Sequence, residues 1–319
     1  MQRRRILIDT DPGIDDAMAI FYALASPELD VVGVTTVFGN APTARCTRNA
    51  LRLLEIAERT DIPVAQGAIA PLASPWRGPA DFVHGTDGQG DIDDVAPHTS
   101  VVATSATQFI VDTVMASPGQ ITLVPIGPLT NIALALQAEP TLAANLAGIV
   151  MMGGNAFCGG NASPAAEANV LNDPEAADVV FGARCPIVMA GLDVTEQTRM
   201  SPEQLDQIAT IDNPRAQHLA RILPFYRSFS ASVSGDDGIF CHDSTVISHL
   251  VAPQHYSWVQ HPIRVDCGDG ISRGKTWAQV RPSHGASAWS HRPDVRILTG
   301  VDAAAVVELE LTRLRLTVE

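Results

Sequence analysis

Short apolar runs alternate with amphipathic helical segments along most of this 319-residue chain, and this alternation limits the folds open to it. The apolar runs are rich in Val and Ile and lack polar alternation, as expected of strands that are covered on both faces. A chain of this kind forms a mostly parallel sheet with helices packed against it. The predicted strands span residues 6–9, 31–38, 121–126, 148–152, 187–192 and 263–266.

The organisation along the chain predicts one α/β domain spanning 1–319, with an open, mostly parallel (mixed) sheet flanked by helices. The sequence contains no internal repeat, no block of like charge and no low-complexity linker that would divide it. The Pro- and Gly-rich stretch 70–98 is too long and polar for a simple connector. Segments of that kind in compact domains are functional lids or disordered loops, and we predict one of these two.

The charge balance argues against two classes of partner. There are 35 Asp and Glu residues against 21 Lys and Arg residues, which gives a net charge of −14. Binding to nucleic acid or to an anionic membrane surface needs basic patches, so we predict neither partner. The five cysteines are scattered without metal-ligand spacing, and the N-terminal segment has no long apolar region, so we predict a cytoplasmic protein.

Polar residues follow the predicted strands where each strand ends. The first strand runs into 9–16 (DTDPGIDD), and later strands end at glycines, amides or a further aspartate. Ligands of open parallel sheets bind beyond the carboxyl ends of the strands. We therefore predict a binding site at this edge.

Four aspartates within the segment 9–16 predict a site for a hard cation. Their mutual repulsion raises pKa values and destabilises the fold unless a cation neutralises them, and carboxylate oxygens suit Ca²⁺ or Mg²⁺. Asp15 and Asp16 are neighbours on a helix, so their side chains diverge by about 100°. We expect one on the metal and one on the substrate. Helix capping accounts for one or two of the four aspartates, but not for all of them.

Three other polar or aromatic groups have structural interpretations when taken alone. Asp243 is typical of a helix N-cap, and His242 of an ordinary surface histidine. The polar segment 161–169 is typical of a solvated loop. Phe225, Tyr226 and Phe229 lie at helical spacing, as core residues do.

The segment 9–16 resembles the signature of the inosine–uridine-preferring nucleoside hydrolases. Further matches to that family run in order along nearly the whole chain, at 37–40, 124–131, 152–154, 167–169, 191–195, 242–243 and 273–274. The resemblance implies a Rossmann-like nucleoside hydrolase fold. It also implies an enzyme that hydrolyses the N-glycosidic bond of ribonucleosides to a free base and ribose. Members are commonly dimers or tetramers, so it implies a homodimer or a homotetramer.

The resemblance also implies a calcium site. Asp11, Asp16 and Asp243 would bind Ca²⁺ together with the main-chain carbonyl of Ile126, and Asp11 would activate the attacking water. The ribose hydroxyls would be held by Asp15, Asn40, Asn161, Glu167 and Asn169. His242 would help the nucleobase leave, and His84 would lie near the mouth of the pocket. The loop around His84 and the helix carrying Phe225 and Phe229 would contact the base.

Two other functions remain open from the residues themselves. The pair Asp9 and Asp11 superficially resembles the aspartates of haloacid-dehalogenase-like phosphohydrolases. That chemistry normally uses a lysine followed by an acidic pair, and the only lysine, Lys275, has no such motif after it. The second alternative is a relative that binds ribonucleosides without hydrolysing them, although every proposed ligand position carries a competent side chain.

Overall fold

The computed structural model describes residues 3–92, 95–282 and 287–316. Within these ranges the chain forms a nine-stranded mixed sheet and a small two-stranded one. The strands are β1 Arg4–Thr10, β2 Leu29–Thr36, β3 Val64–Gln66, β4 Ile121–Pro125, β5 Gly148–Met152, β6 Ile187–Ala190, β7 Arg199–Met200, β8 Ile239–Phe240, β9 Tyr256–Val265, β10 Thr276–Ala278 and β11 Asp294–Val301. The order of the large sheet is β10-β9-β11-β6-β5-β4-β1-β2-β3, and β7 pairs with β8.

The strands from β11 to β3 are parallel, and β9 and β10 add an antiparallel edge. The predicted fold class, an α/β fold with an open and mostly parallel sheet, is therefore confirmed. That 1–319 forms a single domain stays a prediction.

Helices cover both faces of the large sheet. They are α1 Ile14–Leu24, α2 Thr43–Ile56, α3 Asp81–His84, α4 Ala106–Met115, α5 Thr130–Ala138, α6 Leu142–Asn145, α7 Ala168–Asn172, α8 Pro174–Phe181, α9 Leu192–Thr195, α10 Pro202–Ile208, α11 Pro214–Ser234, α12 His242–Val251 and α13 Ala303–Leu314. Side chains alternate between two cores along each strand: Ile6 and Ile8 pack under α1 and α12, and Leu7 packs on the other face under α4 and α5.

The structure corrects the predicted strand ends. The strands β2, β4 and β6 end one or two residues before the predicted positions, at Thr36, Pro125 and Ala190. The apolar run continues past these ends because the turns beyond them are also buried, as at Phe38, which is fully buried.

The prediction for β9 is also corrected. The strand begins at Tyr256 instead of 263, and Ser257 to Gln260 are exposed. The first part of this antiparallel strand is exposed and carries no continuous apolar run, so the sequence analysis missed it.

Helices of the described ranges are too short or too polar to span a bilayer. The longest of them, α11 at Pro214–Ser234, contains Pro224 and several charged residues, and it lies at the protein surface with one face in the core. The cytoplasmic location and the absence of a nucleic-acid or membrane partner stay predictions.

Candidate functional site

The turn between β1 and α1 places the first carboxylates. Asp16 lies in the first turn of α1, and its Oδ2 accepts hydrogen bonds from the backbone N–H of Gly13 (2.9 Å) and from Asn40 Nδ2 (2.9 Å). Its Oδ1 accepts from the hydroxyl of Thr10. Asp16 therefore caps its own helix, as a residue in the first turn can, and is bound by the last residue of β1 and by Asn40 in the turn after β2.

A third carboxylate joins this turn from a distant part of the chain. Asp15, Asp16 and Asp243 each offer a carboxylate oxygen, and these oxygens lie within 4.8 Å of one another. Asp243 comes from the first turn of α12, which packs against α1. The helical divergence of Asp15 and Asp16 does not keep their oxygens apart. That one of them binds the metal and the other the substrate stays a prediction.

Asp11 lies deeper in the same turn. It is 1% exposed, and its Oδ2 accepts from the backbone N–H of Asn40 at 2.7 Å. Its Oδ1 is buried and has no hydrogen-bond partner within the described residues. A buried carboxylate oxygen without a donor is costly, so this oxygen is suited to bind a cation or to carry a proton.

The pKa shifts of Asp11, Asp15, Asp16 and Asp243 agree with that interpretation. Burial, and then the charges of Asp15 and Asp16, raise the pKa of Asp243 well above its usual value. Burial and the charge of Asp16 raise the pKa of Asp11 in the same way. The pKa values of Asp15 and Asp16 both rise to about 6, chiefly through burial. Without a cation these groups resist ionisation together, whereas a divalent cation would hold them ionised.

Two glycines shape the space around Asp11. A Cβ on Gly39 would lie 2.0 Å from Asp11 Oδ2, and Gly39 has a φ of +155°. A Cβ on Gly127 would lie 2.3 Å from Asp11 Oδ1. Only glycine leaves the Asp11 carboxylate in place, so these two positions form a cradle around its oxygens.

The substitution Gly127→Ala is expected to displace Asp11 and to lower kcat/KM for nucleosides by about 100-fold, the size of effect that a 1 Å misplacement produces. Affinity for a divalent cation should fall with it, which titration calorimetry measures. Gly270→Ala is the matched control, because no atom lies within 4 Å of the added Cβ. A Gly127→Ala protein with the cation affinity and kcat/KM of the parent would contradict the cradle.

Glu167 anchors the predicted sugar-binding segment. It is 1% exposed and caps α7, where its side chain accepts from the backbone N–H groups of Asn169 and Val170. Its Oε2 also accepts from the N–H of Gly154 at 2.8 Å. The interpretation of 161–169 as a solvated loop is therefore wrong for Glu167, although Asn161 itself is exposed.

Asn169 connects this segment to the aspartates. Its Nδ2 donates to the carbonyl of Ile126 at 2.9 Å, the carbonyl that the resemblance assigns to the metal. Asn161 Oδ1 accepts from the N–H of Ala168 at the start of α7. The structure therefore brings Glu167, Asn169 and Ile126 to the same sheet edge as the carboxylates, and places Asn161 at its exposed rim.

His242 opens α12 beside Asp243. The helix begins at His242, with Cys241 in the N-cap position, so the interpretation of Asp243 as the N-cap is wrong. His242 is partly buried, and its Nδ1 lies 2.8 Å from the hydroxyl of Thr195. Burial lowers its pKa to about 4, so the imidazole is neutral near pH 7.

His84 is buried beside the aspartate turn, and its place near the mouth of the pocket stays a prediction. It is 5% exposed, and its Nδ1 accepts from the N–H of Ile14 at 3.2 Å. The same Nδ1 lies 3.9 Å from Asp15 Oδ1. The surrounding loop packs against the aspartate turn through Gln89, whose Nε2 donates to the carbonyl of Gly13. His84 therefore packs against the aspartate turn next to Asp15.

Three aromatic residues of α11 face different neighbours. Phe225 packs against the core and the loop at Gly90. Phe229 stacks on Tyr226 with nearly parallel rings, and Tyr226 also contacts His84. The charge of Asp15 contributes to the raised pKa of Tyr226, so this ring lies near the carboxylates.

Sequence reasoning missed one side chain of this site, Thr195, and grouped a second, Tyr226, with Phe225 and Phe229. Tyr226 lies between His84 and Phe229, and helical spacing alone did not distinguish it from its neighbours. Thr195 holds His242 from α9, and only its position two residues after Asp193, in a segment already singled out, could have indicated it.

Comparisons with known proteins agree with this geometry. A family model described as inosine-uridine preferring nucleoside hydrolase matches residues 6–308. Probable uridine nucleosidase 2 of Arabidopsis thaliana is 43% identical over 315 residues and is covered over 98% of each chain. The pyrimidine-specific ribonucleoside hydrolase RihA of Escherichia coli O8 is 38% identical over 97% of this chain and 98% of the relative. The solved structure of the plant nucleoside hydrolase PpNRh1 superposes with a TM-score of 0.95 at 38% identity, covering 98% of this chain and 99% of that one.

Proposed function

Because the chain belongs to the inosine–uridine preferring nucleoside hydrolase family, we propose that it hydrolyses ribonucleosides with the help of Ca²⁺. The reaction splits the N-glycosidic bond and releases a free nucleobase and ribose. The observation that carries the proposal is the convergence of Asp15, Asp16 and Asp243 beside the unpartnered Oδ1 of Asp11. The names of the relatives favour uridine as a substrate.

The residues present fit a calcium ion. Asp11, Asp16 and Asp243 would hold it together with the carbonyl of Ile126, and this all-oxygen donor set is what Ca²⁺ prefers. A bound Ca²⁺ would supply positive charge among the carboxylates and would help to orient the hydroxyls of the ribose. The glycine cradle at Gly127 and the raised pKa values of the aspartates support a cation at this place.

Asp11 is the candidate that activates the attacking water. Its Oδ1 is buried and has no donor among the described residues, so it can accept a proton from a water held beside the sugar. Its Oδ2 is fixed by the backbone N–H of Asn40, which orients the carboxylate.

The sugar needs negative charge and oriented hydrogen-bond partners, because positive charge develops on the ribose as the bond breaks. We assign this role to Asp15, Asn40, Asn161, Glu167 and Asn169. His242 serves the other product, the departing base, which carries negative charge. His84, Phe225 and Phe229 complete the pocket around the base, with Tyr226 beside them.

Chelation is expected to abolish ribose release. A reducing-sugar assay with uridine and inosine, run with and without EDTA, should show free ribose that disappears with the chelator and returns on adding Ca²⁺. Activity that survives exhaustive chelation would contradict the cation requirement. Phosphate release from p-nitrophenyl phosphate would favour the phosphohydrolase alternative. Calorimetric binding of uridine without ribose formation would favour a non-catalytic relative.

The assembly and the location remain proposals of their own. We expect a homodimer or a homotetramer, which light scattering distinguishes from a monomer, and a cytoplasmic protein. We expect the protein to bind a small-molecule substrate, a ribonucleoside, and neither nucleic acid nor a membrane.

A further inference from the structure

The irregular segment between β5 and α7, residues 153–167, folds around one buried asparagine. Asn155 is fully buried, and its Nδ2 donates to the carbonyls of Cys158 (3.1 Å) and Ala165 (2.9 Å). It therefore joins the outgoing and returning arms of the segment. Asn161 lies at the tip between these arms, and Glu167 ends the second one.

The only lysine of the chain fixes this asparagine from the edge of the sheet. Lys275 is 9% exposed, and its Nζ donates to the carbonyls of Asn155 (2.6 Å) and Cys158 (2.8 Å). The next residue, Thr276, begins β10, and its Oγ1 accepts from the N–H of Asn155 at 2.7 Å. Two consecutive residues thus hold both backbone groups of Asn155.

A carboxylate of opposite charge holds the same segment from the other side. The two oxygens of Asp193 accept from the N–H groups of Ala156 and Phe157, each at 2.7 Å. The cation therefore meets backbone carbonyls and the anion meets backbone amides, so each charge is matched to the polar groups it faces. Charge-assisted hydrogen bonds of this kind are about twice as strong as neutral ones.

We propose that Lys275 is a positioning residue for the ribose, which acts by fixing the segment 153–167 in the conformation that presents Asn161 and Glu167. The inference rests on the proposed function, because the ribose contacts of these two residues belong to it. The hydrogen bonds of Lys275 go to the backbone of the segment. Its effect is transmitted through Asn155 and through Gly154, whose N–H binds Glu167 Oε2.

Removing the ammonium group leaves two buried carbonyls without their charged donor, and the segment then loosens. The nucleoside must order the segment each time it binds, which weakens binding. Once the sugar is bound, the segment is ordered again and the chemical step proceeds as before. The expected signature is a change in KM with little change in kcat.

The substitution Lys275→Met is expected to raise KM for uridine about 10-fold or more, while kcat changes by less than about 3-fold. Lys275→Arg, which restores donors for both carbonyls, should return KM most of the way. Amide hydrogen exchange over residues 155–166 should accelerate in Lys275→Met and be restored in Lys275→Arg. Thr276→Val removes only the hydrogen bond to the N–H of Asn155, so it should raise KM by a smaller factor. It provides a second test if Lys275→Met fails to fold.

Arg215→Met is the matched control, since Arg215 is also a buried cation that donates to backbone carbonyls, those of Phe21 and Leu316. It should lower the melting temperature without raising KM and without faster exchange over 155–166. Equal KM values for the parent and Lys275→Met, or an Arg215→Met protein with the same KM increase, would overturn the positioning role. Absence of ribose release from the parent protein would instead refute the proposed function, and uridine affinity measured by calorimetry would then still test the role of Lys275 in binding.

Discussion

Asp11→Asn is expected to abolish turnover on every riboside, with a loss of at least about 10³-fold in kcat. General-base catalysis contributes about 10²–10⁴-fold, and the substitution also removes a negative charge from the cation site. The asparagine keeps the shape of the side chain and an oxygen that can accept from the N–H of Asn40. The loss should be as large for p-nitrophenyl riboside as for uridine, because water must attack the sugar whatever the leaving group is.

The control for this substitution is another buried carboxylate outside the cluster. Asp173 is fully buried and accepts from the hydroxyl of Thr130 and the N–H of Ala176, where it caps α8. Asp173→Asn should lower the melting temperature and leave kcat within about 10-fold of the parent. Measuring bound metal in Asp11→Asn then separates loss of the base from loss of the ion. Substantial residual hydrolysis of p-nitrophenyl riboside by Asp11→Asn would defeat the assignment.

The parallel centre of the sheet was predictable, because strands buried on both faces leave continuous apolar runs. The run containing Ile6 to Ile8 is the clearest case, since its side chains fill both cores. The antiparallel edge was not predictable in the same way. In β9, Trp258 is 46% exposed, and its ring packs under the guanidinium of Arg296, so the sequence there mixes aromatic and polar residues.

The candidate site also has a part that the sequence predicted and a part that it did not. The aspartates of 9–16 lie where a parallel strand meets the helix after it, so the topology indicated them. Asp243, which joins Asp15 and Asp16, was indicated by the family resemblance alone. The side chains that hold the site residues in place were not inferred from the sequence. Thr195 meets His242 across 47 residues, and Lys275 meets the carbonyl of Asn155 across 120 residues. Contacts to backbone carbonyls leave no side-chain pattern, because every residue type carries a carbonyl.

His242→Ala is expected to reduce kcat for uridine and inosine by about 10²–10³-fold, the loss typical of removing one hydrogen-bond donor to a developing negative charge. The same substitution should lower kcat for p-nitrophenyl riboside by less than about 10-fold, because p-nitrophenolate leaves as a stable anion without receiving a proton. The pKa of His242 is lowered to about 4 by burial, so the imidazole carries one ring proton near pH 7. In the tautomer in which Thr195 donates to Nδ1, that proton lies on Nε2. From there the ring can donate a hydrogen bond to the departing base.

The test depends on the ratio of the two losses and not on either alone. His249→Ala is the matched control: His249 lies on the same helix and is buried, burial also lowers its pKa to about 4, and its ring packs edge-on against Tyr256. A structural disturbance of α12 should slow both substrates by the same factor, and His249→Ala should do this. Only a group that serves the leaving base separates uridine from p-nitrophenyl riboside. Equal losses on both substrates in His242→Ala would therefore assign His242 to the support of Asp243 instead of to the base.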